Sequence, residues 1–219
     1  MSPLFPSRSN TFARASLIIL PLLLVVVIGG LVLYGNSSAV TKIGAAVPQP
    51  VPYPHDFHVG TLGLDCRYCH AAVNKSSFAD LPPTETCMSC HSQVAVDNPD
   101  LAPVRDSWQT GKPIEWNRVN QLADYVYFNH EIHVNKGVGC ETCHGRVDTM
   151  TTDVKANNMT MSWCLDCHRQ PARYLRPMDK IYMMGYQPAG DQLTVGTQLM
   201  KDYSILPASQ LINCSICHR

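Results

Sequence analysis

Residues 55–70 read HDFHVGTLGLDCRYCH, and the last five of them, Cys66-Arg-Tyr-Cys69-His70, set the terms for the whole chain. The same C-x-x-C-H pattern returns at Cys87, Cys90 and His91, at Cys140, Cys143 and His144, at Cys164, Cys167 and His168, and at Cys214, Cys217 and His218. These five motifs use all ten cysteines of the 219 residues. A zinc ribbon needs four soft ligands and has no use for a histidine after every pair. A disulfide framework gives no reason for that histidine either. Covalent attachment of c-type haem requires it. Two thiols three positions apart add to the vinyl groups on one porphyrin edge, and the adjoining imidazole falls beneath the iron as proximal ligand. Five covalently attached haem c groups are therefore expected. Cysteines consumed in this way are neither redox centres nor nucleophiles, which disfavours a thioredoxin-like role.

Seventeen basic residues balance seventeen acidic ones, so there is no nucleic-acid footprint. Each oxidised haem with two propionates adds about one negative charge, which makes the holoprotein anionic. Arg67, Lys75, Arg105, Lys112, Arg118, Arg146, Arg169, Arg173 and Arg176 are then expected as propionate partners or solvated surface, not as a basic docking patch.

Ser16 to Tyr34, SLIILPLLLVVVIGGLVLY, carries no charge over nineteen residues. As a helix it spans about 28 Å, close to the hydrocarbon thickness of a bilayer. Arg8 and Arg14 precede it with no acidic residue before Asp56, so the positive-inside rule leaves 1–15 in the cytoplasm and sends the rest across. Pro21 and Gly29-Gly30 are tolerable in such a helix and suit a kink or close packing on a partner helix. The rival is a signal peptide cleaved near Ser37-Ser38-Ala39, but the apolar run exceeds a signal core. An uncleaved, single-pass anchor at 16–34 is expected in the cytoplasmic (inner) membrane. Haem is joined to thiols outside the cytoplasm, so the haem domain belongs on the periplasmic side.

Residues 35–54, with Pro48, Pro50, Pro52 and Pro54, read as an extended linker, and 55–219 as the pentahaem domain. Within it Tyr53-Pro-His55-Asp-Phe-His58-Val59 matches Phe128-Asn-His130-Glu-Ile-His133-Val134 in character at six of seven positions. One C-x-x-C-H follows each after seven or six residues, and a second after 16 or 19 more. The constant offset of 74 to 77 residues defines two dihaem repeats, 55–91 and 130–168, followed by a single site at 214–218. The expected fold is a multihaem cytochrome c: short helices carrying the motifs, irregular loops around a haem core, little sheet, and one N-terminal transmembrane helix. Haem binding and folding should be one process.

Four histidines remain after the five proximal ones: His55, His58, His130 and His133, all in H-x-x-H motifs upstream of a haem site. Two imidazoles three residues apart cannot bind one face of one iron, so each pair should serve two different haems. Four histidines cannot cap five irons, and methionine is the usual alternative. Candidates are Met150, Met159, Met161, Met178, Met183, Met184 and Met200, with Met161 the first choice.

The H-x-x-H arrangement resembles that of class III multihaem cytochromes, where the first histidine binds the haem that follows and the second reaches another. That resemblance pairs His55 with His70 and His130 with His144, and leaves His58 and His133 for two of the other irons. The anchor and the segments HDFHVGTLGLDCRYCH, LPPTETCMSCH, YVYFNHEIHVNKGVGCETCHG and MTMSWCLDCHRQP together resemble the pentahaem cytochrome c component of alternative complex III, over essentially the whole chain. The resemblance implies an electron-transfer component of a quinol-oxidising respiratory or photosynthetic membrane complex. Its partners would be an iron–sulfur subunit, integral membrane subunits, a monohaem cytochrome subunit, and a soluble cytochrome c or blue-copper acceptor. No catalytic site of its own is expected. Two other functions compete: a membrane-anchored multihaem quinol dehydrogenase feeding a periplasmic reductase, and a multihaem nitrite-type reductase, which needs an iron with an open position.

Overall fold

The structure is a computed structural model that describes residue 6 and residues 8–218. The expected cytoplasmic segment 1–15 lies partly outside the described residues. The first of two units ends at Lys42. Its main element is α1, Ser9–Asn36, whose mean hydropathy reaches 3.0 and which is long and apolar enough to cross a membrane. From Leu17 to Tyr34 its side chains are apolar on every side, and Leu17 and Leu33 are each 75% exposed, so no face of α1 is turned to a protein core. The helix outruns the apolar run 16–34 because the residues flanking it continue the backbone ladder. Ser37 then turns extended and returns both its N–H and its hydroxyl to the Tyr34 carbonyl. Helix α2, Ser38–Thr41, follows and ends on Lys42 in the left-handed region.

The second unit begins at Ile43. Part of the segment expected as an extended spacer is tied down here. Gly44 donates to the Lys155 carbonyl, Val51 is buried, and the Gln49 side-chain amide exchanges two hydrogen bonds with the Asn117 backbone at 2.8 and 3.0 Å. A π-helical turn covers Asp56–Thr61. Among the described residues nine short helices follow: α3, Cys66–Cys69; α4, Thr84–His91; α5, Ala102–Thr110; α6, His130–Asn135; α7, Cys140–His144; α8, Met161–Arg169; α9, Gln192–Asp202; α10, Ala208–Leu211; and α11, Cys214–Cys217. Proline helps to keep them short: Pro83 and Pro207 directly precede α4 and α10. Among the described residues the only β pairing is three isolated bridges, Ile43 with Lys155, Ala46 with Val154, and Val138 with Leu175.

Very little apolar side chain is buried. Among the described residues the larger apolar side chains that are buried are Val51, Val73, Val104, Val134, Leu175 and Ile181, and Val73, Val134 and Ile181 form one cluster that joins the two repeats. That is far too small a core for a chain segment of this length. Around the motifs Phe57, Tyr68, Phe78, Leu81, Val94, Tyr125, Tyr127 and Ile132 are exposed apolar or aromatic side chains. A surface of this kind fits covalently held macrocycles as the remainder of the core.

Buried Arg176 fixes the segment behind the second repeat. Its Nη1 donates to the Met183 carbonyl at 3.0 Å and lies 3.7 Å from Glu141 Oε2. A Cβ on Gly139 would collide with this guanidinium, so the residue before Cys140 must be glycine for Arg176 to pass.

Candidate haem sites

Each motif sits on a short helix that turns its two cysteines, three residues apart, to the same side. The α3 and α11 starts are capped alike: Asp65 Oδ1 accepts from the Arg67 N–H and Asn213 Oδ1 from the Ser215 N–H. All ten cysteines are unpaired thiols, which excludes a disulfide framework in this structure. Burial pushes the Cys143 thiol up to about 11 and Cys167 to about 12, the reverse of what a thiolate nucleophile needs.

The nine histidines share one feature. A metal-bound imidazole uses one ring nitrogen and donates the other to a neighbouring acceptor, which orients the ring. Seven have Nδ1 on a backbone carbonyl: His58 on Pro54 (3.0 Å), His70 on Asp80 (2.8 Å), His91 on Val94 (3.1 Å), His130 on Ser77 (3.0 Å), His133 on Asn129 (2.7 Å), His168 on Leu211 (2.9 Å) and His218 on Tyr125 (3.0 Å). His144 Nδ1 meets the Asn120 side-chain amide at 3.2 Å. The Asn120 oxygen has no partner in this orientation, and turning the amide over lets it accept from that N–H. His55 Nδ1 alone faces a carboxylate, Asp153 Oδ1 at 2.8 Å. Eight Nδ1 atoms are thus hydrogen-bonded and that of His55 lies beside a carboxylate without a hydrogen bond of regular geometry, and Nε2 is the nitrogen left for a metal.

Three imidazole pairs face each other. Ring centroids are 6.2 Å apart for His58 and His91, 6.4 Å for His130 and His144, and 6.2 Å for His133 and His168. A ligating nitrogen sits about 2 Å from its metal and the ring centre roughly 1 Å further, so rings flanking one iron are about 6 Å apart. The separations fit. Among the described residues no such ring contact joins His55 and His70, although both act electrostatically on His144. Burial pushes His144 down to about 4 and lowers His130 and His133 as well, so these rings are neutral, the form that binds metal.

An aromatic ring two positions before each H-x-x-H orients both of its histidines. Tyr53 stacks on His58 at 4.4 Å and meets His55 edge-on at 4.7 Å, while Phe128 stacks on His133 at 4.5 Å and meets His130 edge-on at 4.7 Å. The repeat displayed these positions, but their role needed coordinates. Asp153 and Asn120 carried no sequence signal, being remote from the histidines they touch.

Contacts between motifs put them in a definite order. Tyr68 of the first bonds Ser89 of the second at 2.7 Å. Val73, just after the first motif, packs with Val134, just ahead of the third. His130 and His133, on one turn of α6, face the third and fourth motifs. His168 of the fourth reaches the Leu211 carbonyl, just ahead of the fifth.

Met161, at the start of α8, is 63% exposed. Met178 and Met183 are also exposed, and Met159 takes a positive φ of 50°. Several cations expected beside propionates are committed to protein partners: Arg67 to Asp65, Arg146 to Asp148, Arg105 to the Val96 and Asn98 carbonyls, and Arg176 to Glu141 and Met183.

Residues 126–219 match the family described as cytochrome c7 and related cytochrome c. A curated protein from Nitratidesulfovibrio vulgaris, named as the multiheme cytochrome c subunit of menaquinone reductase, is 36% identical over 97 residues. The match covers 44% of this chain and 45% of that protein, so the chain spans about half the length of its relative. Short helices and loops without a sheet among the described residues, a string of C-x-x-C-H motifs and this family match together identify the fold as that of a multihaem cytochrome c.

Proposed function

We propose that this chain is an electron-transfer component of a quinone-linked membrane complex, anchored by α1 and loaded with five haem c groups through Cys66 and Cys69, Cys87 and Cys90, Cys140 and Cys143, Cys164 and Cys167, and Cys214 and Cys217. The observation that carries the reading is the set of nine imidazoles, eight with Nδ1 hydrogen-bonded and His55 with Nδ1 beside a carboxylate, which leaves Nε2 for iron. His70, His91, His144, His168 and His218 are the proximal ligands. His58 opposes His91, His130 opposes His144 and His133 opposes His168; the repeat then assigns His55 to the iron of His70. Met161, one turn before Cys164, is the sixth ligand proposed for the iron of His218.

Bound haem supplies one-electron chemistry. The chain's own part is to hold its attachment motifs in the order second, first, third, fourth, fifth, to orient each imidazole, and to exclude water around them. The motifs at the two ends, on α4 and α11, are the contact points for partners.

The resemblance to the pentahaem component of alternative complex III supports quinol oxidation, with electrons leaving through a monohaem cytochrome, a soluble cytochrome c or a blue-copper protein. The name of the relative supports the opposite direction, with electrons delivered to menaquinone. Both use the same wiring. Arg8 and Arg14 favour a cytoplasmic N-terminus and a periplasmic haem domain.

The test is to purify the full chain in its complex and measure haem per polypeptide by intact mass and by haemochrome absorbance. Five covalent haems with low-spin spectra are expected. Four or fewer, or dominant high-spin iron that binds carbon monoxide, removes the reading and favours a reductase. Pre-steady-state reduction by quinol, against reduction by a soluble periplasmic donor, assigns the direction.

A further inference from the structure

The two H-x-x-H repeats superimpose in pattern but differ in one contact. His130, the first histidine of the second repeat, places Nδ1 on the neutral carbonyl of Ser77 at 3.0 Å. His55, its counterpart in the first, places Nδ1 at 2.8 Å from the Asp153 carboxylate. Both His55 Nδ1 and Asp153 Oδ1 are buried and neither makes a hydrogen bond of regular geometry, so what joins them is the short distance between ring nitrogen and carboxylate. Contacts on both sides of the loop deliver the carboxylate. The Asp56 N–H donates to the Met150 carbonyl at 3.1 Å, Thr151 Oγ1 donates to Asp56 Oδ2 at 2.7 Å, and Val154 bridges to Ala46 on the far side. Gly60 completes the seat, because a Cβ there would collide with the Asp148 carbonyl.

We propose that Asp153 is a positioning residue that acts through His55, setting a negative charge against its Nδ1 so that the imidazole becomes a stronger electron donor and the iron it binds is held towards the ferric state. A carboxylate partner raises the basicity of a ligating imidazole more than a carbonyl does, and stronger donation stabilises the higher oxidation state. The two repeats therefore carry one low-potential and one higher-potential iron at equivalent positions. The inference rests on the reading that His55 ligates iron.

The experiment uses the membrane-extracted holoprotein with all five haems. Asp153→Asn keeps a hydrogen-bond acceptor and removes the charge; Asp153→Glu keeps the charge; Asp153→Ser is a second neutral variant. Spectroelectrochemical titration should show one of five midpoint potentials raised in both neutral variants, by on the order of tenfold in the ferric–ferrous equilibrium, which for one electron is about 59 mV. Asp153→Glu should restore it. Wild-type potentials in a neutral variant that retains five low-spin haems overturn the proposal. Loss of haem from both neutral variants also overturns it, in favour of a purely structural role. His55→Ala separates the two readings: an unchanged axial-ligand spectrum means that His55 is no ligand, whereas a changed spectrum beside unmoved potentials in Asp153→Asn refutes Asp153 alone.

Discussion

The ring of Phe128 stacks on that of His133 with centroids 4.5 Å apart and planes 27° apart. Tyr53 and His58 repeat the arrangement at 4.4 Å and 21°. Phe128→Ala removes both the stack and the edge contact to His130, and is expected to lower stability by about 1–3 kcal/mol. Phe128→Tyr, which copies the first repeat, should cost well under that. Thermal unfolding followed in the Soret band checks the difference, and equal losses in the two variants would count against an orienting role for the ring.

Gly139→Ala sets a methyl group against the buried Arg176 guanidinium. Overpacking of a well-filled site costs about 1–3 kcal/mol. Because Gly139 directly precedes Cys140, the variant should also accumulate chains lacking one haem, visible by intact mass. A fully loaded Gly139→Ala protein of wild-type stability would show that Arg176 can move aside.

The Arg146 guanidinium binds Asp148 through two 2.7 Å hydrogen bonds and holds its carboxyl below the usual carboxylate range. A depressed carboxyl contributes stability that is complete above its unfolded value and is lost as pH falls through its folded one. Asp148→Asn should therefore be slightly less stable than wild type at neutral pH, the effect being limited by solvent screening of so exposed a cation. The difference should close in strong acid below the ordinary carboxylate range and shrink in high salt. Denaturant titrations across pH measure it; a gap that widens in acid contradicts the assignment.

Met161→Leu removes the thioether proposed opposite His218. The far-red charge-transfer band of methionine-ligated ferric haem should vanish and one iron should turn high-spin. Met161→His should instead give bis-imidazole ligation and a lower potential at that iron. Retention of the band in Met161→Leu would shift the ligand to Met159 or Met200.

The candidate haem attachment motifs were legible because their chemistry is local: two thiols and an imidazole at i, i+3 and i+4 fall together on any single helical turn. The same holds for the apolar run of α1, whose hydropathy needs no fold to be expressed. The H-x-x-H repeats also stood out, since they are short patterns at a constant offset. Less legible was the way in which residues 43–51 pair with Lys155 and Asn117, because a proline-rich stretch offers no period from which docking could be read.

By itself, then, the sequence determined which atoms can hold haem and that an apolar helix precedes them. Only the tertiary structure decided which imidazoles face each other, in what order the motifs touch, and what each Nδ1 meets. The reason is range. His218 leans on a carbonyl 93 residues away, His130 on one 53 away, and His55 on the side chain of Asp153. Hydrogen-bond acceptors of this kind carry no pattern along the chain, and they come into reach only when the backbone has closed around its haems.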